Sequence, residues 1–290
     1  MFFDMQNLTS KVKFLTITLM LCFLSLNASA KEKIILGLTG TVFKDDLKNF
    51  MDWEKYLEQQ SDFDVEILFS KNYEEMNTFI KDKRVDIAYV CNSSYTKLKQ
   101  EGAGKLLAIP IVDGSDQYYS FIITKKTNPY NSLLDFKDAI FAFTDPQSNS
   151  GSIAPRYFLL SNDINMSAFF RSFLYTYEHG ESIKAVIEGF VDGASVDSIV
   201  YTRFTEKYPK AIQEIKVIQV LGPYANSPIV ARSTIASKTF QTLQKAFLNM
   251  HEDAYGKTIL NKLSLDRFDT PSTQDYSNVA DMLKTIEDAE

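Results

Sequence analysis

The densest group of side chains able to do chemistry lies at residues 145–157, DPQSNSGSIAPRY. The apolar run AIFAFTD leads into it, and Asp145-Pro146 favours a turn. Pro155 fits only the first turn of a helix, where its missing N–H costs nothing. A helix N-terminus exposes unpaired N–H groups and about half a positive charge. Hydroxyls and amides from Ser148, Asn149 and Ser150, with Gly151 allowing close backbone approach, can enclose a tetrahedral oxyanion there. The simpler use of the same residues is a capping turn on Ser150 or Ser152. A second group is YEHGESIKAVIEGFVDGASVD. His179 precedes a helix with apolar residues at Ile183, Val186 and Ile187, a cap at Ser182 and a stop at Gly189. From that loop it can donate to an oxyanion or merely cap the turn. Asp192 and Asp197 each read either as acceptors for a ligand hydroxyl or ammonium or as strand-end carboxylates.

These groups need elements to hold them. Strand-like runs alternate with helical patterns: IILGL, LKNFMDWEKYLEQQ, DVEILFS, YEEMNTFIKDK, DIAYV. That rhythm predicts a parallel α/β sheet. It restarts after residue 130 with AIFAFTD, helices through SIAPRYFLL and SAFFRSFLYTY, the helix SIKAVIEGF and the strand VDGASV; a helix around Ser237 and another at 276–287 end the chain. The segments VDIAYV (85–90) and VDGASV (191–196) share Val-Asp-x-Ala-x-Val, each after a helix. Two α/β halves with one local logic are expected, with a cleft at the carboxyl ends of their strands.

Composition narrows the classes. The chain is 45% hydrophobic and 23% charged, with 22 Phe and 15 Tyr, so it is globular with a large aromatic core. A net charge of −6 without a basic run argues against nucleic acid as a partner. Residues 1–30 read as a targeting segment: Lys11 and Lys13, the apolar run FLTITLMLCFLSL, then small residues at Ala28 and Ala30. The run is too short to span a membrane comfortably. Export with cleavage near Ala30 is expected, with an uncleaved anchor as the rival. The mature part keeps Cys91 alone, which excludes an internal disulfide and reads as a core residue.

Together, DIAYVCNSSY, DPQSNSGSIAP, HGESIKAVIEGFVDGASV and SKTFQTLQKAFLNM resemble the PhnD-like phosphate, phosphite and phosphonate substrate-binding proteins of ABC importers, in the family's order over nearly all of residues 33–285. The resemblance implies a type II periplasmic binding-protein fold. Each lobe is a mixed sheet flanked by helices, joined by a two-strand hinge: lobe 1 at 31–117 and 228–290, lobe 2 at 118–227, with YYSFIIT and SPIVAR as crossings. It implies an oxyanion held by Ser148, Asn149 and Ser150, by His179, and by an aromatic mapping to Tyr95. An acidic partner falls at Asp192 or Asp197, and Thr41 or Phe43 from the first loop faces the cleft. The partners implied are a small anionic ligand with a permease and ATPase, or a membrane sensor in place of the transporter; the place is the periplasm. One departure stands out: Asn149 occupies the family's Thr position, and an amide differs from a hydroxyl in reach and bonding.

Other chemistries find little. There is no G-x-S-x-G elbow and only two histidines, so no enzyme is expected. Tyr118-Tyr119 resembles a ferric-iron pair, but neighbours on a strand point to opposite faces. No His/Cys spacing suits zinc, and no cofactor is expected.

Overall fold

The structure is a computed structural model that describes residues 31–42, 47–270 and 276–289. The expected targeting segment, 1–30, and Phe43 lie outside the described residues. In chain order the first half contains β1 (Glu32–Leu38), α1 (Leu47–Gln60), β2 (Phe63–Phe69), α2 (Tyr73–Lys81), β3 (Ile87–Tyr89), α3 (Asn92–Gln100) and β4 (Gly104–Ile111). Next come β5 (Gln117–Lys125), β6 (Ile140–Phe143), a single π-type turn (Asn149–Ile153), α4 (Ala154–Leu160), α5 (Met166–Phe169), β7 (Ser172–Tyr175), α6 (His179–Glu188), β8 (Gly193–Asp197), α7 (Ser198–Lys207) and β9 (Ile215–Ala225). The chain ends with β10 (Ile229–Arg232), α8 (Ser237–Leu248), α9 (Ala254–Lys262), β11 (Arg267–Asp269) and α10 (Ser277–Ala289).

The strands form two sheets, ordered β11-β4-β10-β3-β1-β2 and β7-β6-β8-β5-β9. Edge strand β11 aside, the two orders are one pattern. The first strand of each half lies between the second and third (β1 between β2 and β3, β6 between β7 and β8). A strand from elsewhere in the chain then runs antiparallel to both the third and the last strand: β10 to β3 and β4, β5 to β8 and β9. The chain passes between the sheets at residues 112–116 and 226–228. The expected crossings therefore shift: YYSFIIT lies wholly within β5, and the second passage precedes β10. At these passages Asn226 donates its amide N–H to Asp116 O (2.8 Å) and its Nδ2 to Pro110 O (2.9 Å).

Local chemistry explains the elements. Helix α1 buries Phe50, Trp53, Tyr56 and Leu57 along one face. Trp53 meets Phe247 and Phe268 edge-on, which ties α1 to α8 and β11. The second sheet rests on Phe136, Phe141, Phe143, Phe169 and Phe170. The stretch SAFFRSFLYTY, expected as helix, is mostly not helical. Only α5 forms, and then β7 pairs in parallel with β6, because Phe173 and Tyr175 repeat at period two and both pack on Phe143. The cap of α6 is Glu178, not Ser182; its carboxylate accepts from the Gly180 and Glu181 amides. Gly189 ends that helix in the left-handed region, φ 80°. Helix α8 starts after Ala236 and has no side-chain cap, so Ser237 is its first residue. Among the described residues no helix is long and apolar enough to cross a membrane.

Candidate functional site

The first strand of each half is a switch point, where neighbours depart to either side and ligands of open α/β sheets collect. The loops after β1, β2 and β3 meet those after β6, β7 and β8. Tyr73 N–H donates to Asp145 Oδ2 (3.1 Å), Asn77 Nδ2 to Gln147 Oε1 (3.1 Å), and Asn149 N–H to Cys91 Sγ (3.4 Å). The Ser93 hydroxyl donates to Gln147 O. Gly40 lies so close to Tyr177 that a Cβ on it would come within 2.4 Å of the Tyr177 carbonyl oxygen. This is a closed arrangement of the two halves.

The turn after β6 is built as follows. Ser148 caps it, its Oγ accepting from Gly151 N–H (3.0 Å). Gly151 is forced, because a Cβ would stand 2.5 Å from Thr144. The Ser150 carbonyl accepts from the hydroxyls of Ser120 on β5 (2.7 Å) and Ser195 on β8 (2.6 Å), which fixes the turn to the sheet. Ser148, Asn149, Ser150 and Ser152 are all buried, and the Ser152 hydroxyl has no partner.

His179 is the first residue of α6, not a loop residue. The Asp197 backbone N–H donates to its Nδ1 (3.0 Å), and the Thr144 hydroxyl lies 3.0 Å from the same nitrogen. Nδ1 therefore carries no proton and Nε2 does. Burial lowers the His179 pKa to about 3, so the ring is a neutral donor. Asp197 ends β8 and caps α7, its Oδ1 accepting from the Ile199 (2.7 Å) and Val200 (3.2 Å) amides. Burial raises its pKa to about 7, against the pull of those two amides.

Asp192 does not join this group. It stands at the opposite end of β8, about 17 Å away at 3.3 Å per residue. Its N–H donates to Ile140 O (2.8 Å) and its Oδ2 accepts from Ile140 N–H (2.8 Å). Asp86 treats Ile35 identically in the first sheet, at 3.0 and 2.9 Å. The Val-Asp-x-Ala-x-Val repeat is thus a clamp at strand entry, and of the two aspartates only Asp197 stands beside His179.

Tyr95 is likewise elsewhere. Its ring packs edge-on against Tyr276 (5.1 Å) in a cluster with Leu98, Ile109 and Val230. The first-half aromatics that feel the Asp197 charge are Tyr73 and Tyr89, both buried, with burial raising both hydroxyl pKa values. The Tyr73 hydroxyl is buried without a hydrogen-bond partner. Tyr73 was legible from the repeat: it opens the helix after β2 as His179 opens the helix after β7. Thr41 is buried here and accepts from the Thr39 hydroxyl (3.0 Å). Burial also raises the Cys91 thiol pKa, so it remains protonated and is no nucleophile. Tyr118 is buried and Tyr119 is 38% exposed, so the pair does not converge on a metal. Among the described residues no three His, Cys, Asp or Glu side chains gather as a metal site.

At neutral pH the group can offer hydroxyl, backbone and imidazole donors to a small anion between the halves. A groove of about 290 Å³ at its edge is lined by Thr39, Gly40, Phe69 and Lys71 on one side and Tyr177 and Glu178 on the other. Residues 42–276 match the family model of the phosphonate periplasmic substrate-binding protein of ABC transporters. The phosphonates-binding periplasmic protein of Escherichia coli K12 is 29% identical over 251 residues, which covers 83% of this chain and 72% of that protein. PhnD1 of Prochlorococcus marinus, solved with methylphosphonate, superimposes with a TM-score of 0.80 at 20% identity over 88% of this chain and 98% of that one. A binding component of an ABC phosphonate transporter from Pseudomonas aeruginosa gives 0.77 at 24% identity, covering 82% and 81%. At these identities the structural likeness establishes the type II periplasmic binding-protein fold.

Proposed function

The chain belongs to the family of periplasmic substrate-binding proteins of ABC phosphonate transporters, and from that premise we propose that it captures a small phosphorus oxyanion between two lobes. Lobe 1 comprises 31–117 with 228–290, and lobe 2 comprises 118–227. Capture is by binding alone, without catalysis or cofactor. The observation that carries this reading is the convergence of the Ser148–Ser152 turn, neutral His179 and Asp197 on Thr41, Tyr73 and Cys91 across the closed halves. The donors are Nε2 of His179 and the hydroxyls of Ser150, Ser152 and Tyr73. Closure about the passages at 112–116 and 226–228 buries the anion and produces the form that a permease with its ATPase recognises. Relatives are components of ABC transporters, and no feature of the described residues favours the sensory alternative. Relatives are periplasmic proteins; export here, with removal of 1–30 near Ala30, belongs to the same proposal.

Isothermal titration with methylphosphonate, phosphite and phosphate tests it. At least one should bind and raise the melting temperature, and Ser150→Ala and His179→Ala should each weaken that ligand by about tenfold or more. Silence from all three anions, or normal binding by both variants, refutes the assignment.

A further inference from the structure

Asn149 sits where the family resemblance expects a threonine, and its surroundings determine which end of the amide is left unpaired. Asn92 is oriented first: its Nδ2 donates to Ala225 O (3.0 Å), so its Oδ1 accepts, taking the Ser93 N–H (2.8 Å). The Tyr118 hydroxyl lies 3.2 Å from that same Oδ1 and must donate to it. Having spent its proton, Tyr118 accepts from Asn149 Nδ2 (3.1 Å). The relay leaves one orientation for Asn149: the NH₂ is bound to Tyr118, and Oδ1 is buried with no partner. Asn149 is fully buried, and a buried unpaired carbonyl is costly to leave unmatched. Where a threonine hydroxyl could donate, Asn149 therefore presents an acceptor.

We propose that Asn149 is a specificity residue that selects oxyanions carrying a proton, because only a P–OH can satisfy its carbonyl. This deepens the function proposed above and rests on it. A fully deprotonated tetrahedral anion would place oxygen against oxygen. The titratable groups around the site are Tyr73, Tyr89 and Cys91 from the first half, Tyr118 from β5, and Asp145, His179 and Asp197 from the second half. Burial keeps the tyrosines, the thiol and the imidazole neutral. It also raises the carboxyls of Asp145 and Asp197. A carboxylate also favours an anion that carries a proton over sulfate, but both carboxyls are the same in the natural chain and the variants, so a change of ratio between them isolates Asn149.

The test is a set of titrations at pH 6 with methylphosphonate and with sulfate, on the natural chain, Asn149→Thr and Tyr118→Phe. The natural chain should prefer methylphosphonate by about tenfold or more. Asn149→Thr, which supplies a hydroxyl donor, should bring the ratio towards one, chiefly by strengthening sulfate. Tyr118→Phe leaves the amide free to turn and should narrow the ratio without a contact to the ligand being removed. Circular dichroism confirms folding, and either folded variant alone is decisive. If the anions bind but the ratio is the same in the natural chain and the folded variants, or is near one throughout, the inference is wrong while the function stands. If neither anion binds any of the three proteins, this inference fails, and the function proposed above fails with it only where phosphite and phosphate are silent too.

Discussion

His179 and Asp197 are joined by one hydrogen bond and buried together, yet their protonation pulls stability in opposite directions. Unfolded, His179 takes up a proton near its ordinary 6.5; folded, it refuses one until about 3. Its contribution is present above that range and is lost as pH falls through it. Asp197 keeps a proton to about 7 that the unfolded chain releases near 3.8, so its contribution is lost as pH rises through that window. Between about pH 4.5 and 6.5 the two slopes oppose each other. Each single variant should expose the other: Asp197→Asn should melt higher as pH rises through this range, and His179→Asn, whose carbonyl can replace Nδ1, should melt lower, each by several degrees. Parallel pH dependence of both variants in calorimetric scans would contradict the assigned protonation states. These residues were legible as types at helix starts and strand ends. The His179 tautomer and the direction of the Asn149 amide were not, because partners remote in sequence set them, Thr144 and Asp197 for the ring and Asn92 and Tyr118 for the amide.

Among the elements, the strand-entry clamps matter most for separating structure from binding. Asp86 and Asp192 each close both backbone groups of one residue on the neighbouring strand, Ile35 and Ile140, and Asp86 also receives Arg232 Nε at 2.9 Å. Asp192→Ala should cost about 1–3 kcal/mol of stability in urea titrations and leave oxyanion affinity unchanged. A loss of affinity in the folded variant would return Asp192 to the site. The βα rhythm and the Val-Asp-x-Ala-x-Val repeat were readable because periodicity and turn chemistry are local. What escaped was of another kind. Strand β7 looked helical until its aromatics found Phe143, and Tyr95 looked like a ligand until Tyr276 claimed its ring. Both depend on tertiary neighbours that no local pattern encodes.

At the scale of the whole molecule, closure rests on a few polar contacts and one tight approach. Asp145 receives the Tyr73 amide at the start of α2, and Gly40 packs on the Tyr177 carbonyl. Gly40→Ala places a methyl in that second contact, which exists only when the halves meet. Affinity for methylphosphonate should fall by about tenfold, while the melting temperature without ligand changes little. Unaltered affinity would mean that the halves need not approach this closely. The borrowed strands carry a different consequence, for the order in which the molecule can be made. Strand β10 lies between β3 and β4 yet is synthesised after the whole second sheet. A growing chain therefore has β1 to β4 in hand with a gap at the middle of its first sheet, and the gap persists until residue 232 has been translated. The N-terminal half cannot mature first, as consecutive domains usually do; the second sheet can be complete before the first.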